Sequence, residues 1–499
     1  MQLYGFLRWF RRVTAFAVFL GLLYFFLASS ARLAIIWQEL IKLQIVPAIL
    51  GIASGGLLTV IIVLLLTLIF GRVYCSLLCP LGIWQDIVNR SASFFRSRKK
   101  RRYRFTKAHN YLRYTILTAA AVCLVFSFTL PILWLDPYAL SGRMAVNLGK
   151  PLVSLISGSQ YAPWSLAAFL VSAVIFLTIT LLAFFRGRLY CNTICPAGTM
   201  MGLISKISMF RIQIDTAACT HCKLCGTVCK CGCIDCNSSF IDNSRCVVCM
   251  NCITACRRGD IHYRFAWKRK NSEHKSENNK QHDKSRRAFL IAALGGGAGA
   301  GAVLLSRYAG KKRVRITSSM PPGAGNLERL KDKCIACHAC IAACPSHIIK
   351  PAMGDFGWNG FLLPAVSYEN GFCGFDCQRC QEVCPSGALQ LMPLEEKKRF
   401  RIGVVKLTLE RCIVEEFGTD CGACDEHCPV KAVQMTPREG TNKVFPATNP
   451  AICIGCGGCE YICPATPKAI EVIPLPEQRL ADPPVLDAKV KVVIDGFGF

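Results

Sequence analysis

One spacing of cysteines recurs six times in this chain, and it restricts what the chain can become more than any other feature. Its most regular copy is Cys334, Cys337, Cys340 and Cys344, followed by Pro345. Three soft thiolates on a short loop, with a fourth just beyond, are the donors that hold a 4Fe-4S cube. Six such runs account for 24 of the 32 cysteines. A disulfide framework has no reason to repeat three closely spaced thiols, and a zinc ribbon separates its C-x2-C pairs by about 15 to 20 residues.

In two-cluster ferredoxins the fourth cysteine of one run serves the cube of its neighbour. On that rule Cys334, Cys337 and Cys340 pair with Cys384, and Cys373, Cys377 and Cys380 with Cys344. Likewise Cys412, Cys421 and Cys424 pair with Cys463, and Cys453, Cys456 and Cys459 with Cys428. Earlier in the chain Cys219, Cys222 and Cys225 pair with Cys256, and Cys246, Cys249 and Cys252 with Cys229. The expectation is six 4Fe-4S clusters. Two runs depart from the pattern, with three residues between Cys373 and Cys377 and eight between Cys412 and Cys421. Lys230 and Arg257 stand where prolines usually follow, and Cys231, Cys233 and Cys236 crowd the same loop, so the fourth corner near Cys229 stays open. The three extra thiols read as free, as redox-active, or as ligands of another metal. The Cys334-Ile335-Ala336-Cys337-His338 string also spells a c-type haem site, but a complete cluster run surrounds it.

The net charge of +28 is unevenly spread. Lys+Arg outnumber Asp+Glu by 36 to 10 in residues 1–305 and by 23 to 21 thereafter. The excess lies beside apolar stretches, where it biases membrane topology, so no nucleic-acid partner is expected. Residues 13–37, 46–70, 111–135 and 162–185 each reach the roughly 20 apolar residues that cross a bilayer. The 71–110 loop is rich in Lys and Arg, whereas residues 136–161 hold only Arg143 and Lys150. The N-terminus and the 71–110 loop are therefore placed inside.

An internal repeat marks the same block. Gly71-Arg72-Val73-Tyr74-Cys75-x3-Cys79-Pro80 is matched by Gly187-Arg188-Leu189-Tyr190-Cys191-x3-Cys195-Pro196. The expected fold class is an α-helical membrane domain, a four-helix duplicated hairpin over residues 1–205, joined to α+β ferredoxin-like units of β-α-β-β-α-β order. Residues 206–266 form a cytoplasmic two-cluster unit, 267–287 a solvated polar linker, and 307–499 an exported four-cluster domain. Between them, residues 285–306 carry Ser285-Arg286-Arg287-Ala288-Phe289-Leu290 ahead of a weakly apolar stretch, which reads as a twin-arginine-type signal retained as an anchor. An ordinary fifth helix is the other reading, and it leaves the later residues on the same side.

Cys75, Cys79, Cys191 and Cys195 read as a candidate cofactor-binding set, either a metal or cluster site or thiols beside a quinol, with buried structural cysteines as the alternative. The flanking Arg72, Tyr74, Arg188 and Tyr190 suit quinol contact, or snorkelling arginines and interfacial tyrosines. The lone Cys123 reads as packing. All eight histidines lie outside the four apolar stretches, so no haem is expected between those helices. The cores of the stretches also lack charged residues, which argues against a proton pump.

These motifs resemble a known pair of proteins. Residues 1 to about 265, with two Cys-x3-Cys-Pro elements and a trailing two-cluster unit, are similar to the NapH (MauN-like) membrane subunit. Residues 285–499, with Arg286-Arg287 and four cluster runs, resemble the NapG (MauM-like) exported ferredoxin. The resemblance implies a fused quinol dehydrogenase of the polyferredoxin family in the bacterial inner membrane. Electrons would pass from the quinol pool to a periplasmic reductase of the nitrate reductase type, or to a cytochrome c, and the twin-arginine machinery would export the C-terminal domain. CcoG-like copper reduction or a NosR-like regulatory role is the alternative. The resemblance names no catalytic residue and leaves open how electrons cross the bilayer.

Overall fold

The computed structural model describes residues 2–27, 40–52, 56–95, 103–126, 130–157, 165–266, 316–438 and 443–483. The polar linker and the Arg286-Arg287 segment lie outside the described residues.

The first helix, Gln2–Leu27, has 26 residues and therefore runs about 39 Å. Its first turns meet the earlier Cys-rich unit: the Tyr4 hydroxyl donates to Tyr263 O at 3.3 Å and Arg12 Nη2 to Asn251 Oδ1 at 3.4 Å. Its last turn places Phe25 and Phe26 in one core with Tyr138, Leu330, Ile335 and Cys337. The two Cys-rich regions thus sit at opposite ends of this helix.

Among the described residues, Leu3–Leu27 and Leu166–Arg186 are long and apolar enough to cross a membrane. The second and third expected spans are not single helices. Residues 46–70 divide into Ile45–Leu50 and Gly56–Phe70, and the two pieces approach closely, since a Cβ on Gly56 would stand 2.2 Å from Ala48 O. Residues 111–135 divide into Asn110–Val125 and Leu130–Leu135, with Pro131 one residue inside the second piece. Asp136 then caps the next helix, Pro137–Met144, by accepting from Ala139 N at 2.8 Å. A π-turn, Ala145–Gly149, leads into Lys150–Ser157.

The sequence repeat is also a structural repeat. Gly56–Phe70, Tyr74–Leu77 and Pro80–Phe95 follow one another as Leu166–Arg186, Leu189–Thr193 and Pro196–Ser205 do. Each copy turns on a glycine in the left-handed region, Gly71 at φ +77° and Gly187 at φ +71°.

The earlier Cys-rich unit has the strand–helix–strand–strand–helix–strand order. Phe210–Ile214 pairs antiparallel with Ile261–Phe265, and Ile234–Asp235 pairs with Phe240–Ile241. The same order returns late in the chain, where Phe400–Leu407 pairs with Ile470–Leu480 and Val433–Pro437 with Val444–Thr448. The module between keeps only the inner hairpin, Ile349–Pro351 with Pro364–Val366.

Candidate metal-cluster sites

Four of the six cysteine loops share one backbone signature. The second and fourth residues after the first cysteine have positive φ: His221 and Lys223, Val248 and Met250, Ala336 and His338, Gly455 and Gly457. Alternating right- and left-handed residues turn successive N–H groups toward one concavity, which suits a sulfur-rich anion. Six of these eight residues are not glycine, and each left-handed placement costs about 1 kcal/mol or more. The two loops with irregular spacing, from Cys373 and from Cys412, have no such pair. Backbone amides also reach the sulfurs. Ala336 N donates to Cys334 Sγ at 3.3 Å, Gly455 N to Cys453 Sγ at 3.4 Å and Ala432 N to Cys428 Sγ at 3.1 Å.

Four of the six expected sets gather in fours, two of them around apolar cavities. Cys412, Cys421, Cys424 and Cys463 line one cavity with Leu407 and Ile470; Cys428, Cys453, Cys456 and Cys459 line another with Val405 and Val433. Cys334, Cys337, Cys340 and Cys384 lie within electrostatic reach of one another, as do Cys344, Cys373, Cys377 and Cys380. Burial pushes the Cys337 thiol up to about 12 and the Cys424 thiol up to about 11. Four thiolates in such a space therefore need cationic iron to offset their charge. Among the described residues no three Cys, His, Asp or Glu side chains converge on a single metal ion. A cube, whose own sulfides and irons fill its centre, suits these more open sets better than one zinc with Zn–S bonds of about 2.3 Å.

In the earlier unit Cys246, Cys249 and Cys252 share an apolar cavity with Cys229, Cys231 and Cys233. Cys233 lies 3.5 Å from Cys229, and hydrogen bonding from it, with backbone N–H help, brings the Cys229 thiol down to about 6. Cys229 follows a short helix by one residue beyond its cap, as Cys384 and Cys428 do. Cys256 caps its helix in extended geometry (φ −74°, ψ 108°), as Cys344 (−70°, 114°) and Cys463 (−61°, 122°) do. Sequence alone missed one further neighbour: Cys236 Sγ stands 3.8 Å from Cys225 Sγ.

The repeat builds a second kind of site. Cys75, Cys79, Cys191 and Cys195 are all buried, and their thiols lie within electrostatic reach of one another. Cys195 is the N-cap of its helix, with Pro196 at the first position and Gly198 N donating to Sγ at 3.3 Å; Gly82 N does the same for Cys79. The two copies are cross-braced. Arg72 Nη2 donates to Cys191 O at 3.1 Å, and Arg188 Nη1 to Cys75 O at 2.9 Å. Arg72 and Arg188 are wholly buried, not snorkelling. The Tyr74 hydroxyl donates to Gln44 Oε1 at 2.9 Å and the Tyr190 hydroxyl to Leu135 O at 2.9 Å. All four side chains take part in bracing contacts between distant parts of the chain. Cys123 is buried.

Polar links run from this quartet to the earlier Cys-rich unit. Asn192 Nδ2 donates to Cys231 O at 3.2 Å and its Oδ1 accepts from Arg72 Nη1 at 3.1 Å. Asp86 faces Arg188 at 2.7 Å, Arg11 at 3.8 Å, and Lys230. Burial pushes the Asp86 carboxyl up, but Arg188 and Lys230 more than offset this and hold it well below the usual range. Beside Cys231 opens a cavity of about 420 Å³, lined among others by Phe105, Thr106, His109, Phe185, Leu189 and Asn192.

Comparison with known proteins agrees with this chemistry. A 4Fe-4S binding domain family matches residues 53–103 and 168–214, a 4Fe-4S dicluster domain family residues 419–466, and a second 4Fe-4S binding domain family residues 328–350. The ferredoxin-type protein NapG of Escherichia coli is 29% identical over 204 residues, 38% of this chain and 86% of NapG. The methylamine utilization ferredoxin-type protein MauN of Paracoccus denitrificans is 26% identical over 184 residues, 37% of this chain and 54% of MauN. The ferredoxin-type protein NapH of Haemophilus influenzae is 31% identical over 170 residues, 34% of this chain and 51% of NapH. No solved structure matches the chain. The chain is a ferredoxin-type iron–sulfur electron-transfer protein, a polyferredoxin similar to NapH, NapG and MauN/MauM.

Proposed function

We propose that this chain is a multi-pass quinol dehydrogenase of the bacterial inner membrane, relaying electrons from the quinol pool to a periplasmic reductase or cytochrome c. Its six 4Fe-4S clusters would be held by the ligand sets named above, with Cys229 and Cys256 as the exchanged donors of the cytoplasmic pair. The observation that carries the quinol assignment is the cavity of about 420 Å³ between the end of Leu166–Arg186 and Cys231. Its size suits a small organic ligand, and Cys231 also lines the cysteine-rich cavity. Phe105, Phe185 and Leu189 give an apolar wall for a ring, while the Thr106 hydroxyl and the His109 ring offer polar atoms to its hydroxyls. Oxidising a quinol releases two electrons and two protons; we assign one proton to the lining His109 imidazole and the other to the solvent that His109 meets. The clusters, when bound, take electrons one at a time.

The proposed topology rests on two supports. Cations crowd the 71–110 loop, and the two Cys-rich regions lie at opposite ends of Gln2–Leu27. The test is anaerobic membranes, a quinol analogue and the iron–sulfur absorbance. Ala108 also lines the cavity, and bleaching in the native chain and its loss in Ala108→Trp, whose indole would occupy that space, are expected. No bleaching in the native chain, or equal bleaching in both, would overturn the quinol assignment.

A further inference from the structure

Residues 136–161 contain two cations, Arg143 and Lys150, and neither faces solvent: they are 1% and 4% exposed. Arg143 lies over the Trp134 ring at 5.3 Å, donates to Ala139 O at 3.3 Å through Nε, and also reaches Leu133 O. Its Nη1 is buried without a hydrogen-bond partner. Its largest counter-charge is the Asp136 carboxylate, and Cys337 and Cys334 also lie within electrostatic reach. Lys150 Nζ donates to Ala342 O at 2.7 Å and has Cys344 as its anionic neighbour. The two cations flank the π-turn Ala145–Gly149, and π-turns inside helices are often kept at functional sites. Between them and the C-terminal domain the backbones touch: a Cβ on Gly142 would stand 2.3 Å from Cys337 O. Trp134 stacks on Phe361 at 6.1 Å, and the buried Tyr138 hydroxyl faces Cys337.

We propose that Arg143 and Lys150 dock the C-terminal domain on the membrane block and make its first two clusters the electron entry. Arg143 would serve the Cys334, Cys337, Cys340 and Cys384 site, and Lys150 the Cys344, Cys373, Cys377 and Cys380 site. The proposal rests on the relay reading and deepens it by ordering the clusters. A cube on four thiolates is anionic, and reduction adds one more negative charge. A fixed cation nearby in a low-dielectric setting favours the reduced form and raises the potential. Each site takes one electron from the membrane side and passes one onward. The onward link is to the last module, since Cys373 N donates to Cys456 O at 2.8 Å and the Tyr368 hydroxyl to Gly455 O at 2.7 Å. The Cys412, Cys421, Cys424 and Cys463 site then stands last.

The test uses the full chain in lipid nanodiscs, reduced stepwise by dithionite, so that it does not depend on a quinol. Electron paramagnetic resonance follows each cluster's midpoint potential, and hydrogen exchange follows the amides of residues 334–352. Arg143→Gln is expected to lower one midpoint, Lys150→Met another, and Arg143→Lys to restore the first in part. The double variant is expected to exchange at least tenfold faster over 334–352, with residues 210–265 unchanged. Unmoved midpoints overturn the entry assignment, and unmoved exchange overturns the docking role. If both effects appear while quinol fails to reduce the chain, the inference stands and the quinol reading falls.

Discussion

Both Cys-rich regions share an apolar core with the helical block, but the polar contacts added to that core differ. At the earlier unit these are Asp86 with Arg188, Arg11 and Lys230, and Asn192 between Arg72 and Cys231. At the C-terminal domain the core, Leu22, Phe25, Phe26 and Tyr138 against Leu330, Ile335 and Ile341, is pierced by two buried cations. The earlier unit also carries three thiols beyond the eight that two cubes use, whereas the C-terminal domain carries none beyond its sixteen. Ligand loops are therefore local devices, set by spacing, while attachment is decided by what each region finds at its end of the helices.

The sharpest way to break this comparison is to remove one ligand on each side. Cys340→Ser and Cys252→Ser are each expected to lose about four irons and to stop electron flow, measured by iron analysis and paramagnetic resonance. Full iron in either variant would end that cysteine's ligand role. Next in size is Asp86→Asn, which leaves Arg188 and Lys230 buried without their counter-charge and should cost about 3–5 kcal/mol, read as a lower unfolding temperature. The native carboxyl is held below its usual pKa, so its contribution is complete above about pH 4 and is lost as pH falls further. An acid-sensitivity profile identical in D86N and the native chain would contradict this.

Gly198→Ala tests the cross-brace. Its Cβ would stand 2.5 Å from Cys191 O and 2.8 Å from Arg72 Nη2, so a loss of about 1–3 kcal/mol is expected, confined in hydrogen exchange to the quartet and the earlier unit. The smallest effect concerns the crowded loop. Cys236→Ser should leave iron content unchanged and Cys256→Ser should lower it; the reverse result would make Cys236 the fourth donor beside Cys225.

Much of the site is legible in the sequence. Two of the thiol sets grouped by spacing line cavities of their own and a third shares one with Cys231 and Cys233, because short cysteine loops fold in few ways; their ligation is the proposal. The spans were less readable. Apolar length suggested continuous helices over 46–70 and 111–135, yet Gly56 permits a close helix–helix approach and Pro131 interrupts a ladder. Arg72 and Arg188 looked like interfacial cations because burial of a guanidinium depends on acceptors far along the chain, here Ser244 O and Asp86.

By itself the sequence determined the chemistry: which residue types cluster, how many times, and that the two Cys-x3-Cys-Pro elements are copies. Only the tertiary structure decided how these pieces connect. Arg143 and Lys150 lie nearly two hundred residues before Cys337 and Ala342, and no local pattern carries information over that distance. The helical block brings them together because its apolar ends and the C-terminal domain bury each other's surface, and that burial fixes where each charge must sit.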